Sequence, residues 1–99
     1  MIDLSRVTSF DWDSGNARKN EKHEVTLSES EQVFFNTPLL LLSDTKHSSN
    51  ESRFHALGST NDERRLHITF TLRKAETAIR VISARDMHNK ERNYYEQVD

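Results

Sequence analysis

The sequence predicts a small α+β domain, and three observations support this fold class. The stretch from Arg64 to Arg85 shows two segments with a β-strand pattern, separated by a short polar break. Two patterns near the N-terminus favour helices, and residues 86–98 have a helical composition. Ninety-nine residues suffice for one domain with a single modest core. We therefore expect two N-terminal helices, about four mainly antiparallel strands and a C-terminal helix, all in one domain spanning residues 1–99.

The stretch 64–85 predicts a β-hairpin. Apolar side chains occupy every second position of its first half: Leu66, Ile68, Phe70 and Leu72. This period of two gives the strand one apolar face and one polar, partly cationic face. After the break at residues 74–77, the segment 79–85 places β-branched residues on both faces, which is typical of a central strand covered on both sides.

Charge is distributed unevenly along the chain. The net charge is −2, yet residues 64–92 hold eight Lys and Arg against three Asp and Glu, which is a local charge of +5. This asymmetry is compatible with an anionic ligand on one face and a basic partner elsewhere. It is equally compatible with charges that only solvate a small domain.

The first predicted helix follows a tail or edge strand at residues 1–9. Asp13 is a suitable N-cap, because its carboxylate can accept hydrogen bonds from the free amides of a first helical turn. A helix from Ser14 to His23 would place Lys19, Lys22 and His23 on one face, since positions three and four apart are neighbours.

The second helix is predicted from Glu29 to Phe35. Ser28 and Glu31 have the spacing of a capping box, in which two side chains satisfy amides at the helix start. Pro38 ends this helix. The run Leu39–Leu42 is too short for a lone helix and predicts a buried strand.

The remaining middle segment predicts a loop followed by a strand. Residues 44–52 are rich in Ser, Asn and Asp, which is typical of a surface loop. Arg53 to Leu57 is expected to form a strand that closes at Gly58.

Several classes of protein find no support in the composition. The chain has no cysteine, so it has no disulfide framework and no thiolate nucleophile. No apolar run approaches the roughly 20 residues of a membrane span, and no signal-peptide pattern begins the chain. With two glycines there is no Gly-rich phosphate loop, and the five histidines lack metal-ligand spacing. We expect a cytoplasmic protein without a cofactor or a metal ion.

Four blocks of residues, in order, resemble the BrnT family of toxins. The first is Phe10-x-Trp12-Asp13, followed by Asn20-x-Lys22-His23, Val25-x-x-x-Glu29 and Val33-Phe34. The second is His47-Ser48-x-x-Glu51-x-Arg53-Phe54 with Leu57-Gly58. The third is Arg80-Val81-Ile82-Ser83-Ala84-Arg85, and the fourth is Glu91-Arg92-x-x-Tyr95-Glu96. The resemblance covers residues 10–96 with almost no gaps.

The resemblance implies a RelE-like fold and an endoribonuclease toxin of a bacterial type II toxin–antitoxin pair. It also implies a BrnA-type antitoxin with a ribbon-helix-helix domain, a heterotetrameric complex, and contact with operator DNA only through the antitoxin. One position departs from the family pattern, because Glu24 stands where Gly is usual. A Gly there would end the first helix in the left-handed conformation, which costs a non-Gly residue about 1 kcal/mol.

Cleavage of RNA without a metal needs a base for the 2′-hydroxyl proton and an acid for the leaving 5′-oxygen. Histidine suits both roles because it titrates near neutrality. The matching family block makes His23 the acid/base candidate, with Lys22 beside it as an electrostatic aid. The alternative is that His23 is a cation that caps a helix end.

The same reaction needs cations against the charge that grows on the phosphoryl oxygens. Arginine suits this role, since its planar fork grips phosphate through two hydrogen bonds. The candidates on predicted strands are Arg53, Arg73 and Arg85. Surface ion pairs are the alternative for all three, with Glu51, Glu76 and Asp86 as partners.

Further site candidates are Lys19, His47, Glu51 and Tyr95. His47 and Glu51, together with Ser48, can form a second acid/base cluster or can simply cap backbone groups in a loop. Tyr95 and Trp12 are either core or partner anchors or platforms for base stacking.

Two functions of different classes follow from these observations. The first is a metal-independent endoribonuclease toxin whose basic sheet face is covered by its antitoxin. The second is a non-catalytic module that binds the antitoxin and tunes its repression of DNA. The acidic net charge and Glu24 favour the second, and growth arrest on expression distinguishes the two.

Overall fold

The computed structural model describes residues 2–13, 15, 23–46 and 51–98. Within these residues the chain forms five strands and two helices. The strands are β1 (Ser9–Phe10), β2 (Leu40–Asp44), β3 (Arg53–Ser59), β4 (Arg65–Arg73) and β5 (Ala78–Asp86). The helices are α1 (Leu27–Val33), between β1 and β2, and α2 (Asn89–Glu96), at the C-terminal end.

All five strands form one mixed sheet in the order β1-β5-β4-β3-β2. The pairs from β2 to β5 are antiparallel, whereas β1 lies parallel to β5 with Ser9 opposite Ala78. The prediction of two N-terminal helices before a four-stranded, mainly antiparallel sheet is therefore wrong. With two residues β1 is too short to show a side-chain pattern, and the backbone hydrogen bond from Asp11 N to Ile79 O (2.8 Å) continues its pairing.

The predicted helix from Ser14 to His23 lies largely outside the described residues. Its expected cap, Asp13, has another contact, since Arg80 Nη2 donates to Asp13 Oδ2 at 2.7 Å. Residues 1–9 were expected to form a tail or an edge strand, and β1, at one edge of the sheet, includes Ser9 of this segment.

The predicted hairpin from Arg64 to Arg85 is confirmed as β4 and β5. Leu66, Ile68 and Phe70 are fully buried on one face of the sheet. A bulge interrupts the pairing, because Thr69 lies opposite Ser83 while Phe70 lies opposite Val81. The bulge keeps both Val81 and Ala84 on the apolar face.

Helix α1 covers the apolar face of the sheet. Its N-cap is Thr26, not the predicted Ser28: Thr26 Oγ1 accepts from Glu29 N at 3.0 Å, and Glu29 Oε1 accepts from Thr26 N at 3.0 Å. The predicted partner Glu31 instead accepts a hydrogen bond from Trp12 Nε1 at 2.8 Å. Near the C-terminal end of the helix Val33 is completely buried.

Strand β3 approaches α1 most closely at Gly58. The strand was predicted to end at Gly58, but it continues to Ser59. A Cβ atom at Gly58 would lie 2.7 Å from Val33 Cγ1 and 3.2 Å from Val33 O. Gly58 therefore serves close packing between helix and sheet rather than a turn.

Helix α2 packs on the opposite face of the sheet, over a smaller apolar cluster. Leu57, Met87 and Tyr95 are its buried members. The strand predicted at Leu39–Leu42 is confirmed as β2, but it is an edge strand and leaves Leu42 exposed. None of the helices in the described ranges is long and apolar enough to cross a membrane.

Candidate functional site

Two histidines meet on the sheet face that carries α2. Strand alternation and cross-strand pairing place five side chains there: His55 and Leu57 on β3, His67 and Thr69 on β4, and Arg85 on β5. We call this the histidine face. His67 Nε2 lies 2.9 Å from His55 Nδ1, and the ring centroids are 4.8 Å apart. One N–H must lie between the two nitrogens, so at least one ring donates to the other.

The outer nitrogen of each ring faces a carboxylate. His55 Nε2 lies 3.0 Å from Asp44 Oδ2, which comes from the edge strand β2. His67 Nδ1 lies 3.3 Å from Glu91 Oε2 on α2, although it has no aligned hydrogen-bond partner among the described residues. Burial lowers the pKa of His67 from 6.5 to about 4, and the positive charge of Arg85 acts in the same direction. His67 is therefore neutral at pH 7.

Glu91 joins the histidine face to the start of α2. Arg85 donates to both of its oxygens, at 2.8 and 2.9 Å, and the backbone N–H of His88 donates to Oε1 at 2.9 Å. The hydrogen bonds from Arg85 lower the pKa of Glu91 from 4.5 to about 2, against the opposing effect of burial. The negative charge of Glu91 is thus matched by a guanidinium on the same face.

A cavity of about 400 Å³ opens beside the two histidines. Its lining residues come from β2, β3, β4 and α2: Leu42, His55, Leu57, His67, Lys90, Glu91 and Tyr94. The cavity has apolar walls with a small number of polar groups, which is the general character of a ligand site.

The predicted phosphate-binding arginines do not converge on one point. Arg85 lies opposite His67, and Arg73 lies opposite Ala78, six residues further along β4. At about 3.3 Å per residue this separates Arg73 from Arg85 by about 20 Å. Arg53 lies two positions before His55 on β3, opposite Asp44. Arg85 belongs to the histidine face, and strand alternation extends that face to Arg53 on β3 and to Arg73 at the far end of β4. Arg73 forms an exposed ion pair there with Glu51 at 3.0 Å.

His23 lies at the same end of the sheet as Arg85, but on the side of α1. Arg64 Nη2 donates to His23 O at 3.2 Å, and its Nε donates to Asp86 Oδ1 at 2.7 Å. Arg64 also contacts Glu29 at 3.2 Å, so it ties the turn after the first predicted helix to α1 and to β5. The hydrogen bond from Arg64 lowers the pKa of Asp86.

Three of the predicted candidates, Lys19, Lys22 and His47, lie outside the described residues. Tyr95 is buried, and its hydroxyl donates to Pro38 O at 2.6 Å and lies 3.0 Å from Ser59 Oγ. These contacts anchor α2 to the sheet, which is the core role that the sequence allowed for Tyr95. Glu51 forms an ion pair with Arg73, which is the alternative role that the sequence analysis gave to these two residues.

Sequence reasoning missed His55, His67, Asp44 and Glu91 as members of one cluster. His55 and His67 are 12 residues apart, and only the β3–β4 register brings their rings together. The available signal was that both occupy polar positions of alternating strands. No group of three or more metal-ligand side chains converges within ranges 2–13, 15, 23–46 and 51–98. The predicted lack of a cofactor stays a prediction.

Comparison with known proteins agrees with the resemblance found in the sequence. A family model described as "Ribonuclease toxin, BrnT, of type II toxin-antitoxin system" matches residues 12–91. The match includes α1 and all of strands β2 to β5. A search of curated protein sequences finds no match.

Proposed function

The chain belongs to the BrnT family of ribonuclease toxins from type II toxin–antitoxin systems, and on this premise we propose that it cuts RNA internally and without a metal ion. The observation that carries the proposal is the family match over residues 12–91, which includes the whole histidine face. A toxin of this type implies an RNA substrate and an antitoxin partner.

Arg85 and Arg53 are the proposed phosphate contacts, because they share the histidine face. A guanidinium has five N–H donors. Arg85 directs three of them at Glu91 and at the Asp86 carbonyl, which leaves two donors for a phosphate. Arg73 is proposed to contact a more distant phosphate, since its exposed ion pair with Glu51 is of a kind worth only about 0–1 kcal/mol.

His23 is the proposed acid/base group, with Lys22 as its electrostatic aid. His23 is exposed, whereas the ring nitrogens of His55 and His67 contact each other and their carboxylates. Arg64 links the backbone of His23 to Asp86, the residue after Arg85. The proposed base and the proposed phosphate ligand therefore lie at the same end of the sheet, with His23 on the side of α1 and Arg85 on the histidine face.

The antitoxin is proposed to be of the BrnA type, with a ribbon-helix-helix domain that alone contacts operator DNA in a heterotetramer. We propose that it inhibits the toxin by covering the histidine face. The support is the position of Tyr94 and Leu42, two exposed apolar side chains at the edge of that face.

The test is RNA integrity and growth in bacteria that express the chain without an antitoxin. The wild type is expected to arrest growth and degrade RNA, and His23→Ala and Arg85→Ala are expected to lose both effects at equal protein level. Arg6→Ala is the matched control, because Arg6 is an exposed cation before β1. Purified wild type should still cut RNA in excess EDTA. If both variants still degrade RNA, the proposed site is wrong but the ribonuclease activity is supported.

The second candidate function is the non-catalytic module that binds the antitoxin. The observation that favours it is that the basic segment is largely neutralised. Five arginines form ion pairs with carboxylates within the described ranges: Arg64, Arg65, Arg73, Arg80 and Arg85. Soluble wild type that neither arrests growth nor cuts RNA would favour this function, and Glu24→Gly would then be tested for restored activity.

A further inference from the structure

The cavity on the histidine face has two exposed apolar side chains at its edge. Among the described residues, large apolar side chains that are exposed are few, namely Leu27, Phe35, Leu42 and Tyr94. Tyr94 is 53% exposed and Leu42 is 44% exposed, and both line this one cavity. They belong to different elements, α2 and β2, so the sheet packing brings them together. An exposed aromatic and an exposed aliphatic side chain at one cavity are suited to hold a flat apolar group.

The floor of the cavity is polar. It carries the imidazoles of His55 and His67 and the carboxylate of Glu91. The two imidazoles contact each other and Arg85 holds Glu91, so these groups form a fixed polar surface. A nucleobase has apolar faces and a polar edge, so it matches both the walls and the floor.

The rim of the cavity is cationic. Glu91 is held by Arg85, and burial keeps His67 neutral. Lys90 is exposed and lines the cavity, whereas Arg85 forms an ion pair with Glu91. A single-stranded nucleic acid brings a phosphate with each base, and Lys90 is placed to contact it.

We propose that this cavity binds one unpaired base of single-stranded RNA, with the base stacked on Tyr94 and its phosphate beside Lys90. The volume of about 400 Å³ lies in the range of about 300–1,000 Å³ that is typical of small-molecule sites. The inference rests on the proposed ribonuclease function and adds a substrate subsite to it. Neither Tyr94 nor Lys90 belongs to the acid/base or phosphate groups assigned above.

The test is the binding of a fluorescent 2′-O-methyl oligoribonucleotide, which lacks the free 2′-hydroxyl needed for cleavage. The readout is fluorescence anisotropy with the full chain. Tyr94→Ala is expected to weaken binding about tenfold, because stacking of one base on an aromatic ring contributes on that order. Tyr94→Phe keeps the ring and should bind within about twofold of the wild type.

Phe35→Ala is the matched control. Phe35 is also an exposed aromatic, 78% exposed, but it follows α1 and lines a different cavity with Phe10 and Phe34. Its removal should leave RNA binding unchanged. Circular dichroism of all three variants shows whether each one is folded.

The outcomes separate the subsite from the function. The subsite is overturned if Tyr94→Ala binds the oligonucleotide as tightly as the wild type does. If the wild type also cuts RNA, the proposed ribonuclease function is unaffected by this result. A wild type that neither binds nor cuts RNA overturns both. Tyr94→Ala that loses antitoxin binding but keeps RNA binding overturns the proposal and makes the cavity a protein-docking site.

Discussion

His67 is a residue of the histidine face whose ionisation changes on folding. Its folded pKa of about 4 lies below the ordinary value of 6.5, because the ring is buried and faces Arg85. Glu91 opposes this shift, and the neighbours His55 and His88 add to it. Between pH 7 and pH 5 the unfolded chain therefore takes up a proton at His67 that the folded chain does not.

The first prediction is that this proton destabilises the fold as the pH falls. The contribution of neutral His67 to the stability of the fold is complete above pH 6.5 and is lost as the pH falls towards 4. The free energy of unfolding should therefore drop by about 2 kcal/mol between pH 7 and pH 5. Urea unfolding at both pH values measures it. His67→Gln should show a smaller drop than the wild type. An equal drop in His67→Gln would contradict the assignment.

Glu24 adopts φ 57°, the left-handed conformation that the sequence predicted for this position. The second prediction is that Glu24→Gly stabilises the fold by up to about 1 kcal/mol, because Gly reaches this φ without a steric cost. The gain corresponds to a rise in Tm of up to about 4–8 °C. Glu24→Gln is the control, since it removes only the charge and should leave Tm near the wild-type value.

The sequence could predict the backbone of Glu24 but not the histidine cluster. The left-handed position was expected because the family that the chain resembles usually has Gly at this place. The contact between His55 and His67 instead depends on a register between two strands, and register is set by the turn and by packing. The carboxylate partners Asp44 and Glu91 come from two further elements, which no local pattern connects.

Helix α1 and strand β3 are matched in shape at Gly58. The third prediction is that Gly58→Ala destabilises the fold by about 1–3 kcal/mol, because the new methyl group would overlap Val33 Cγ1, which lies 2.7 Å away. Urea unfolding measures the loss. Val33→Ala makes room on the facing side, so the double variant should lose less than the sum of the two single variants. Simple additivity would mean that the two residues do not share one contact.

Elements with a clear side-chain period were predictable, and those without one were not. Strand β4 carries the alternation of a half-buried strand and β5 carries β-branched residues on both faces, and both strands were predicted nearly to their ends. Two capping-box patterns overlap at the start of α1, one at Thr26 and Glu29 and the other at Ser28 and Glu31. The structure uses the first box as the N-cap, and Glu31 accepts a hydrogen bond from Trp12 instead. Strand β1 is held by backbone hydrogen bonds to β5, which leave no trace in its side chains.

Within the described ranges, five of the six arginines of segment 64–92 form ion pairs with carboxylates. The charge of +5 over residues 64–92 was evident from the sequence, but its compensation by acids from other segments was not. Examples are the pairs of Arg80 with Asp13 at 2.7 Å and of Arg65 with Glu96 at 3.2 Å. The sheet is therefore less electropositive than its sequence suggests.

The fourth prediction concerns the salt dependence of RNA binding. A single strand that met all eight cations of residues 64–92 would give a slope of log K against log salt of about −6, from about −0.7 for each contact. Because most arginines already hold carboxylates, we expect a slope no steeper than about −2. Anisotropy titrations with a 2′-O-methyl oligonucleotide at several salt concentrations measure it. A slope of about −4 or steeper would mean that the ion pairs open on RNA.

The pairing of β1 with β5 has a consequence for how the chain folds. The two strands join positions 69 residues apart, as the ion pair of Arg80 with Asp11 also does. Such contacts require the closure of a long loop, so they form slowly compared with the β4–β5 hairpin. During synthesis the first strand has no partner until β5 has been made. A chain that stops before β5 lacks one edge of its sheet, and we expect a protease to digest it as an unfolded polypeptide.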